Sequence, residues 1–121
     1  MKTNRKKLEI KIYNLVKKIV HARGKCELCG RSEGKLDLHH LQGRTGQLKY
    51  YLPNCILLCF RCHRMGVHNP ASAIQAAFRE HIIRERGDID DIVKLKDQKL
   101  SISELEELTE KYKLLLNSLN Q

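Results

Sequence analysis

The spacing of hydrophobic and polar positions divides the 121-residue chain into helical ends and a middle part with two short strands. In residues 5–22, apolar side chains recur at three- and four-residue steps with lysines between them, which predicts an amphipathic helix. The segments KLDLHHL (35–41) and CILLC (55–59) predict strands, the first by its alternation and the second as a short apolar run. The loop QGRTGQLKYYLPN, with two glycines and a proline, joins them.

The segment after the second strand predicts a helix over NPASAIQAAFREHIIRER. Asn69 suits an N-cap and Pro70 suits the first helical position, so we expect the helix to begin there. Gly87 is expected to end it. Residues 88–99 then predict a polar helical segment.

Residues 101–119 predict a last helix, in which Ser103 and Glu106 have the spacing of a capping box. Its apolar stripe would either form a dimer face or pack within the same chain, and intramolecular packing is the commoner outcome. The chain is therefore expected to be a monomer or a homodimer. The stripe consists of Leu105, Leu108, Tyr112, Leu115 and Leu119.

The full chain has a formal net charge of +9, and its positive charge is concentrated in the first half. Residues 1–25 have nine Lys and Arg against one Glu, and residues 26–70 have six against three acidic residues. Residues 71–121 have eight against ten. This distribution favours an acidic partner, and nucleic acid is the commonest one. A solvated basic helix face is the alternative interpretation.

Hydropathy argues against a membrane or secreted protein. No apolar run reaches the roughly eighteen residues of a membrane span, and the basic first residues lack the apolar core of a signal peptide. We therefore expect no membrane partner and a cytoplasmic, reducing location. In such a compartment paired cysteines hold a metal more often than a disulfide.

Four of the five cysteines form two CxxC pairs, Cys26 with Cys29 and Cys59 with Cys62. Two such turns supply the four tetrahedral thiolates that a structural zinc prefers. The spacing predicts one structural Zn²⁺ that ties the turn before the first strand to the turn after the second, so that the strands pair. Buried thiols or a redox pair are the alternative. Cys55 is expected to be a core residue, with replacement of a zinc ligand as the minor alternative.

Three histidines and an asparagine lie inside this frame, in the order LDLHH, LPNC and CFRCH. Their order and spacing resemble the HNH endonucleases, in particular those whose ββα-metal finger is framed by two CxxC pairs. The resemblance spans residues 26–68. The segment from FREHIIRERG onward is similar in pattern to the tail of phage Rap/NinG recombination nucleases, which implies a bacterial or phage-encoded protein.

The resemblance implies a role for each of these four residues. His39 and His63 match metal ligands, His40 matches the general base, and Asn54 matches a residue that braces the loop between the strands. Neighbouring side chains of a strand point to opposite faces, so the two adjacent histidines must serve different tasks. Taken singly, each histidine is more often satisfied by a backbone partner, and His63 could instead be a zinc ligand displaced by Cys62.

Other positions have two interpretations. His68 is either a further metal ligand or an exposed loop residue. Asp37 either orients a ligand imidazole or faces solvent, and we expect the latter. Arg44 matches an arginine that often follows the paired histidines, where it would assist catalysis at the phosphate. Contacts with nucleic acid are expected from Arg44, Lys49, Arg61 and Arg64.

The chemistry of phosphodiester hydrolysis suits these residue types. A neutral imidazole accepts the proton of water near pH 7, and a divalent cation binds the phosphate and the leaving oxygen. Two or three imidazole ligands leave positions for water and phosphate, and they suit Mg²⁺, Mn²⁺, Ni²⁺ or Zn²⁺. One catalytic ion is expected, because the sequence shows one ligand cluster of this kind.

These observations predict an α+β, mostly helical protein. A basic N-terminal helix (1–25) and a C-terminal helical extension (71–121) flank a zinc-stapled ββα-metal core (26–70). The implied function is a metal-dependent DNA endonuclease that nicks phosphodiester bonds with weak sequence preference, in a phage, a mobile element or branch-directed recombination. A non-catalytic zinc module that binds nucleic acid is the alternative.

Overall fold

A two-stranded sheet lies between helices in this computed structural model, which describes residues 3–68, 72–85, 92, 94–95 and 98–120. The described helices are α1 (Asn4–His21), α2 (Ala73–Glu85) and α3 (Ile102–Leu119), and the strands are β1 (Leu36–His40) and β2 (Cys55–Cys59). A π-helix occupies Arg61–Val67. The predicted α+β, mostly helical class is confirmed. Outside the described residues lie the predicted cap at Asn69 and Pro70, the helix end at Gly87, and most of the polar segment 88–99.

Helix α1 begins where a side chain caps its first turn. The Thr3 hydroxyl accepts a hydrogen bond from the backbone N–H of Lys6 at 3.1 Å, which satisfies a donor that has no partner within the helix. Of the apolar stripe predicted for residues 5–22, Ile12, Val16 and Ile19 are buried and Leu8 and Leu15 are half-buried. Val20 is buried beside them. The opposite face leaves its lysines in solvent, as an amphipathic surface helix does.

Strands β1 and β2 are antiparallel, and both faces of β2 are covered. His40 lies opposite Cys55, and His39 lies opposite Ile56. Cys55 and Leu57 pack in a cluster with α1 and α3, whereas Ile56 and Leu58 pack in a second cluster with α2. A strand buried on both faces reads as a continuous apolar run, which explains the sequence CILLC.

The connection between the strands is a loop, as predicted, and it contains two short 3₁₀ turns at Gly46–Lys49 and Leu52–Asn54. Leu48 of the first turn is fully buried. The outer edge of β2 is also bonded, because the Glu27 carboxylate accepts from Leu57 N–H at 2.6 Å and Glu27 N–H donates to Leu57 C=O at 2.8 Å. Backbone groups on both edges of β2 are therefore satisfied at its centre.

The predicted capping box of α3 is wrong by two residues. The Ser101 hydroxyl accepts from Glu104 N–H at 3.1 Å, and the Glu104 carboxylate accepts from Ser101 N–H at 3.0 Å, whereas Ser103 lies inside the first turn. Both Ser-x-x-Glu pairs fit the pattern. The earlier one brackets the cap with Leu100 and Leu105, which pack in the same apolar cluster, as in a hydrophobic staple.

The apolar stripe of α3 packs within the chain. Leu105 and Tyr112 are buried in the cluster that contains the α1 side chains, and Leu108 and Leu115 pack against its margin. The Tyr112 hydroxyl donates to the backbone carbonyl of Tyr50 at 2.5 Å, which ties α3 to the loop between the strands. Only the last member of the stripe, Leu119, is largely exposed.

Among the residues that the structure describes, none of the helices has the length and apolar character that crossing a bilayer requires.

We expect Leu57→Ala to lower the free energy of unfolding by about 2–5 kcal/mol, because this fully buried side chain fills the space between β2 and the helices. The matched control is Leu114→Ala on α3, where the side chain is 71% exposed and the change should stay within about 0.5 kcal/mol. Urea unfolding of the two variants measures the difference. Equal losses would contradict the packing described here.

Candidate metal centres and active site

The four cysteines of the two CxxC pairs form one cluster. Their sulfur atoms lie within 4.8 Å of one another, and the Sγ atoms of Cys29 and Cys59 are 3.7 Å apart. A tetrahedral zinc with Zn–S bonds of about 2.3 Å has S–S separations of about 3.8 Å, so the donor set and its size suit a structural zinc. Cys55 lies on the other face of the sheet, buried in the core.

The first CxxC turn is held by its own backbone. Gly30 N–H donates to Cys26 C=O at 2.8 Å, and Cys26 N–H donates to Arg31 C=O at 2.8 Å. Gly30 has a φ of +81°, a conformation that favours glycine and that closes the turn. Burial raises the pKa of Cys26, but backbone N–H groups, those of Cys29 and Cys59 foremost, outweigh it and lower the pKa to about 7. The turn therefore favours the thiolate of Cys26, the form that binds metal, whereas burial raises the pKa of Cys29.

Three histidines form a second cluster, on the face of the sheet that α2 covers. The ring nitrogens of His39, His63 and His68 lie within 4.8 Å of one another. His39 comes from β1, and its ring packs edge-on against Phe78 of α2 at 5.8 Å between centroids. Imidazoles from a strand and from the segment that follows β2 can thus bind one divalent cation together, and the cluster suits such an ion.

The π-helix brings His63 and His68 together. The backbone N–H of His68 donates to His63 C=O at 3.3 Å, a bond between residues five apart. In a regular α-helix, residues four apart share a face, and a spacing of five does not align them. The wider π turn aligns them, with ring centroids 4.7 Å apart. The structure therefore places His68 beside the other two histidines, an outcome that the sequence left open.

The surroundings of His39 and His63 favour the neutral imidazole. Burial, followed by the neighbouring His63 and His68, lowers the pKa of His39 to about 4. Burial also lowers the pKa of His63, although a hydrogen bond with Asp37 opposes the shift. Neutral imidazole is the form that binds metal, so this cluster is ready to accept an ion at neutral pH.

Asp37 was expected to face solvent, but in the structure it lies beside His63. Its Oδ2 atom lies 3.4 Å from Nδ1 of His63, and its side chain is only 18% exposed. Asp37 and His39 lie on one face of β1, and that face meets the π-helix, which is why the carboxylate reaches His63. A carboxylate on the second nitrogen of a ligand imidazole fixes its tautomer and orientation.

His40 points to the opposite face of the sheet. Its ring stacks on Tyr13 of α1, with centroids 6.1 Å apart and planes 15° apart, and its Nε2 lies 3.3 Å from Lys49 C=O. Burial lowers the pKa of His40; the hydrogen bond to Lys49 opposes the shift and the positive charge of Arg44 adds to it. With Nε2–H donating to the carbonyl, Nδ1 has a lone pair available to accept a proton.

Asn54 holds the loop that surrounds His40. Its side chain is fully buried; Oδ1 accepts from Gln42 N–H at 2.8 Å, and Nδ2 donates to the carbonyls of Gly43 and Leu48 at 2.9 and 3.0 Å. Its own C=O accepts from Leu41 N–H at 2.8 Å. These bonds connect the end of β1 to the start of β2.

The four basic residues expected to contact nucleic acid lie in two places. Arg44 and Lys49 belong to the loop and flank the ring of Tyr13, at 5.0 and 4.9 Å from its centroid. Arg61 and Arg64 are exposed on the π-helix beside the metal-ligand candidates. Both pairs border the histidines.

Tyr13 and Lys17 of α1 are the site neighbours that sequence reasoning missed. They are four residues apart and share a face at the margin of the apolar stripe, where Tyr13 is half-buried and Lys17 is exposed. Lys17 Nζ lies 5.1 Å from the ring centroid. A tyrosine four residues before a lysine was the available signal in the sequence. The helix was instead interpreted only by its apolar stripe, which indicates core packing.

Comparison with known families agrees with this geometry. Residues 26–67 match the family model described as HNH endonuclease, so the match covers both CxxC pairs, both strands and the π-helix. The predicted resemblance of the middle part to this family is confirmed. No curated protein and no solved structure matches the chain significantly.

We expect Cys59→Ser to unfold the protein or make it metal-labile, because zinc binding at a closed thiolate site contributes directly to folding. Zinc content after acid release and the melting temperature are the measurements. Cys55→Ala is the control, since that side chain lies outside the cluster and the variant should keep one zinc per chain. A serine variant with unchanged melting temperature and zinc content would refute the structural zinc.

Asn54→Ala should destabilise the protein by about 2–4 kcal/mol, because it leaves the buried carbonyl of Leu48 and the part-buried Gln42 N–H and Gly43 C=O without their partner. Asn117→Ala is the matched control on the exposed side of α3, with a change within about 0.5 kcal/mol. Chemical unfolding of the two variants measures the difference in their free energies of unfolding. A loss as small as that of the control would show that the loop is held by other contacts.

Proposed function

We propose that this protein is a metal-dependent HNH endonuclease that hydrolyses phosphodiester bonds of DNA, one strand at a time, from a single active site. The observation that supports this most is the division of tasks on β1. His39 joins His63 and His68 in a cluster that suits one divalent cation. The adjacent His40 faces the other side, where its Nδ1 makes no hydrogen bond to any residue that the structure describes.

The cation, when bound by His39, His63 and His68, supplies positive charge for the phosphate and the leaving oxygen. His40 would accept the proton of the attacking water at Nδ1, since Nε2 is directed at the Lys49 carbonyl. Asp37 would keep the His63 imidazole oriented through Nδ1. Asn54 would act by holding the loop and not by touching the substrate.

DNA is the proposed substrate because the charge and the available contacts suit a phosphate backbone. Arg44 and Lys49 lie on the His40 side, and Arg61 and Arg64 lie on the metal side. Contacts of Lys and Arg with phosphates position a protein on DNA but carry no sequence information. We therefore propose weak sequence preference and binding that weakens steeply with salt.

The shape of the DNA substrate is a finer part of the proposal. The pattern of the C-terminal segment supports branched DNA in a phage or mobile-element setting. A junction would need two active sites and hence two copies of the chain. Cutting rates on junction, flap and plain duplex substrates of equal length would decide it, because only a branch-directed enzyme prefers the first two.

We expect His40→Ala to reduce plasmid nicking by at least about 100-fold while metal and DNA binding survive, because the base would be lost but the ligand cluster kept. His63→Ala is the paired variant, and it should lose both nicking and binding of Co²⁺, followed by the visible absorption of the ion. Melting temperatures of both variants should remain close to that of the unchanged protein.

Robust Mg²⁺- or Mn²⁺-dependent nicking by His40→Ala would refute this assignment of the base. Binding of DNA without nicking under Mg²⁺, Mn²⁺, Ni²⁺ and Zn²⁺ by the unchanged protein would refute the nuclease and favour the non-catalytic zinc module.

A further inference from the structure

Three cations surround the ring of Tyr13, which is half-buried at the margin of the apolar face of α1. The Nζ atoms of Lys17 and Lys49 and the Cζ atom of Arg44 lie 5.1, 4.9 and 5.0 Å from the ring centroid. Two come from the loop between the strands and one from the helix. Each interaction with an aromatic face is favourable, yet three like charges around one ring repel one another.

The charge of this cluster is poorly neutralised in the protein alone. Burial, followed by the positive charges of Lys6, Arg44 and Lys17, lowers the pKa of Lys49. The negative charge of Glu9 opposes that shift, but its carboxylate is also engaged in an ion pair with Arg5 at 3.0 Å. A bound anion would relieve the repulsion among these cations, and a phosphate with several oxygens suits several donors at once.

The position of the cluster relates it to the proposed base. The ring of Tyr13 has the cations around it and the imidazole of His40 stacked beside it. An open cleft of about 540 Å³ continues from Arg44 and Lys49 past the ion pair of Arg5 with Glu9 to Lys99. A strand that passes His40 would thus meet further positive charge along the same path.

We propose that Lys17, Arg44 and Lys49, arranged around Tyr13, form a binding site for a DNA backbone phosphate next to the bond cut beside His40. Helix α1 would then be part of the DNA-binding surface as well as of the core. The identity of the anion as DNA rests on the proposed function, but the phosphate site itself can be measured without cleavage.

The test is the salt dependence of binding to a plain duplex oligonucleotide, followed by fluorescence anisotropy from low to physiological salt. Each phosphate contact contributes about 0.9 to the slope of log Kd against log salt concentration. Lys17→Gln should reduce the slope by about 0.9 and weaken binding at low salt about three- to tenfold. The double variant Lys17→Gln, Lys49→Gln should reduce the slope by about twice that amount.

Lys18→Gln is the matched control, because Lys18 is the next residue of α1 and is exposed away from the ring. It should leave slope and affinity unchanged. Equal slopes for Lys17→Gln and Lys18→Gln, with melting temperatures retained, would overturn the phosphate site. Nicking with unchanged slopes would refute this inference but not the nuclease, whereas reduced slopes without nicking would refute the nuclease alone.

Discussion

The register of the antiparallel pair β1–β2 is the constraint on which the site depends. His39 opposite Ile56 and His40 opposite Cys55 set which face of the sheet each imidazole occupies. Because side chains alternate along a strand, a slip of one residue would exchange the two faces. The candidate metal ligand would then face α1, and the candidate base would face α2. A sheet of two strands must therefore be pinned firmly at both ends.

Hydrogen bonds fix the register at one end of the strand pair, and the four-cysteine cluster fixes it at the other end. Asn54 bonds the backbone on both sides of the loop where the strands are joined. At the far end, Cys59 lies opposite Leu36 and belongs to the four-cysteine cluster. Between them, Glu27 occupies the outer edge of β2 at Leu57. Two apolar clusters, one on each face, then penalise any shift of the strand.

Features that depend on local pattern were predictable. A short segment of sequence is enough to recognise the CxxC spacing, the amphipathic stripe of α1 and the apolar run of β2. The capping box of α3 was ambiguous because two Ser-x-x-Glu pairs overlap, and tertiary packing of Leu100 and Leu105 favoured the first. The environment of Asp37 was not predictable, since it depends on how the segment after β2 approaches β1. For the same reason the approach of Arg44 and Lys49 to Tyr13 was not predictable, because both lie more than 30 positions away along the chain; only Lys17, four residues from Tyr13, gave a local signal.

The hydrogen bond from His68 N–H to His63 C=O belongs to a π-helical turn, and the position of the third imidazole beside the other two depends on that turn. In an α-helix of the same sequence, the position one turn after His63 would be occupied by Val67, an apolar residue that offers no lone pair. The number of imidazoles that could hold an ion would fall from three to two without any change of amino acid. A chain shorter by one residue in this turn would reach the three-ligand arrangement on an ordinary α-helix. With the extra residue, the number of imidazoles that can reach one ion depends on whether the turn is a π-helix or an α-helix. An ion that requires all three imidazoles would therefore favour the π-helical turn.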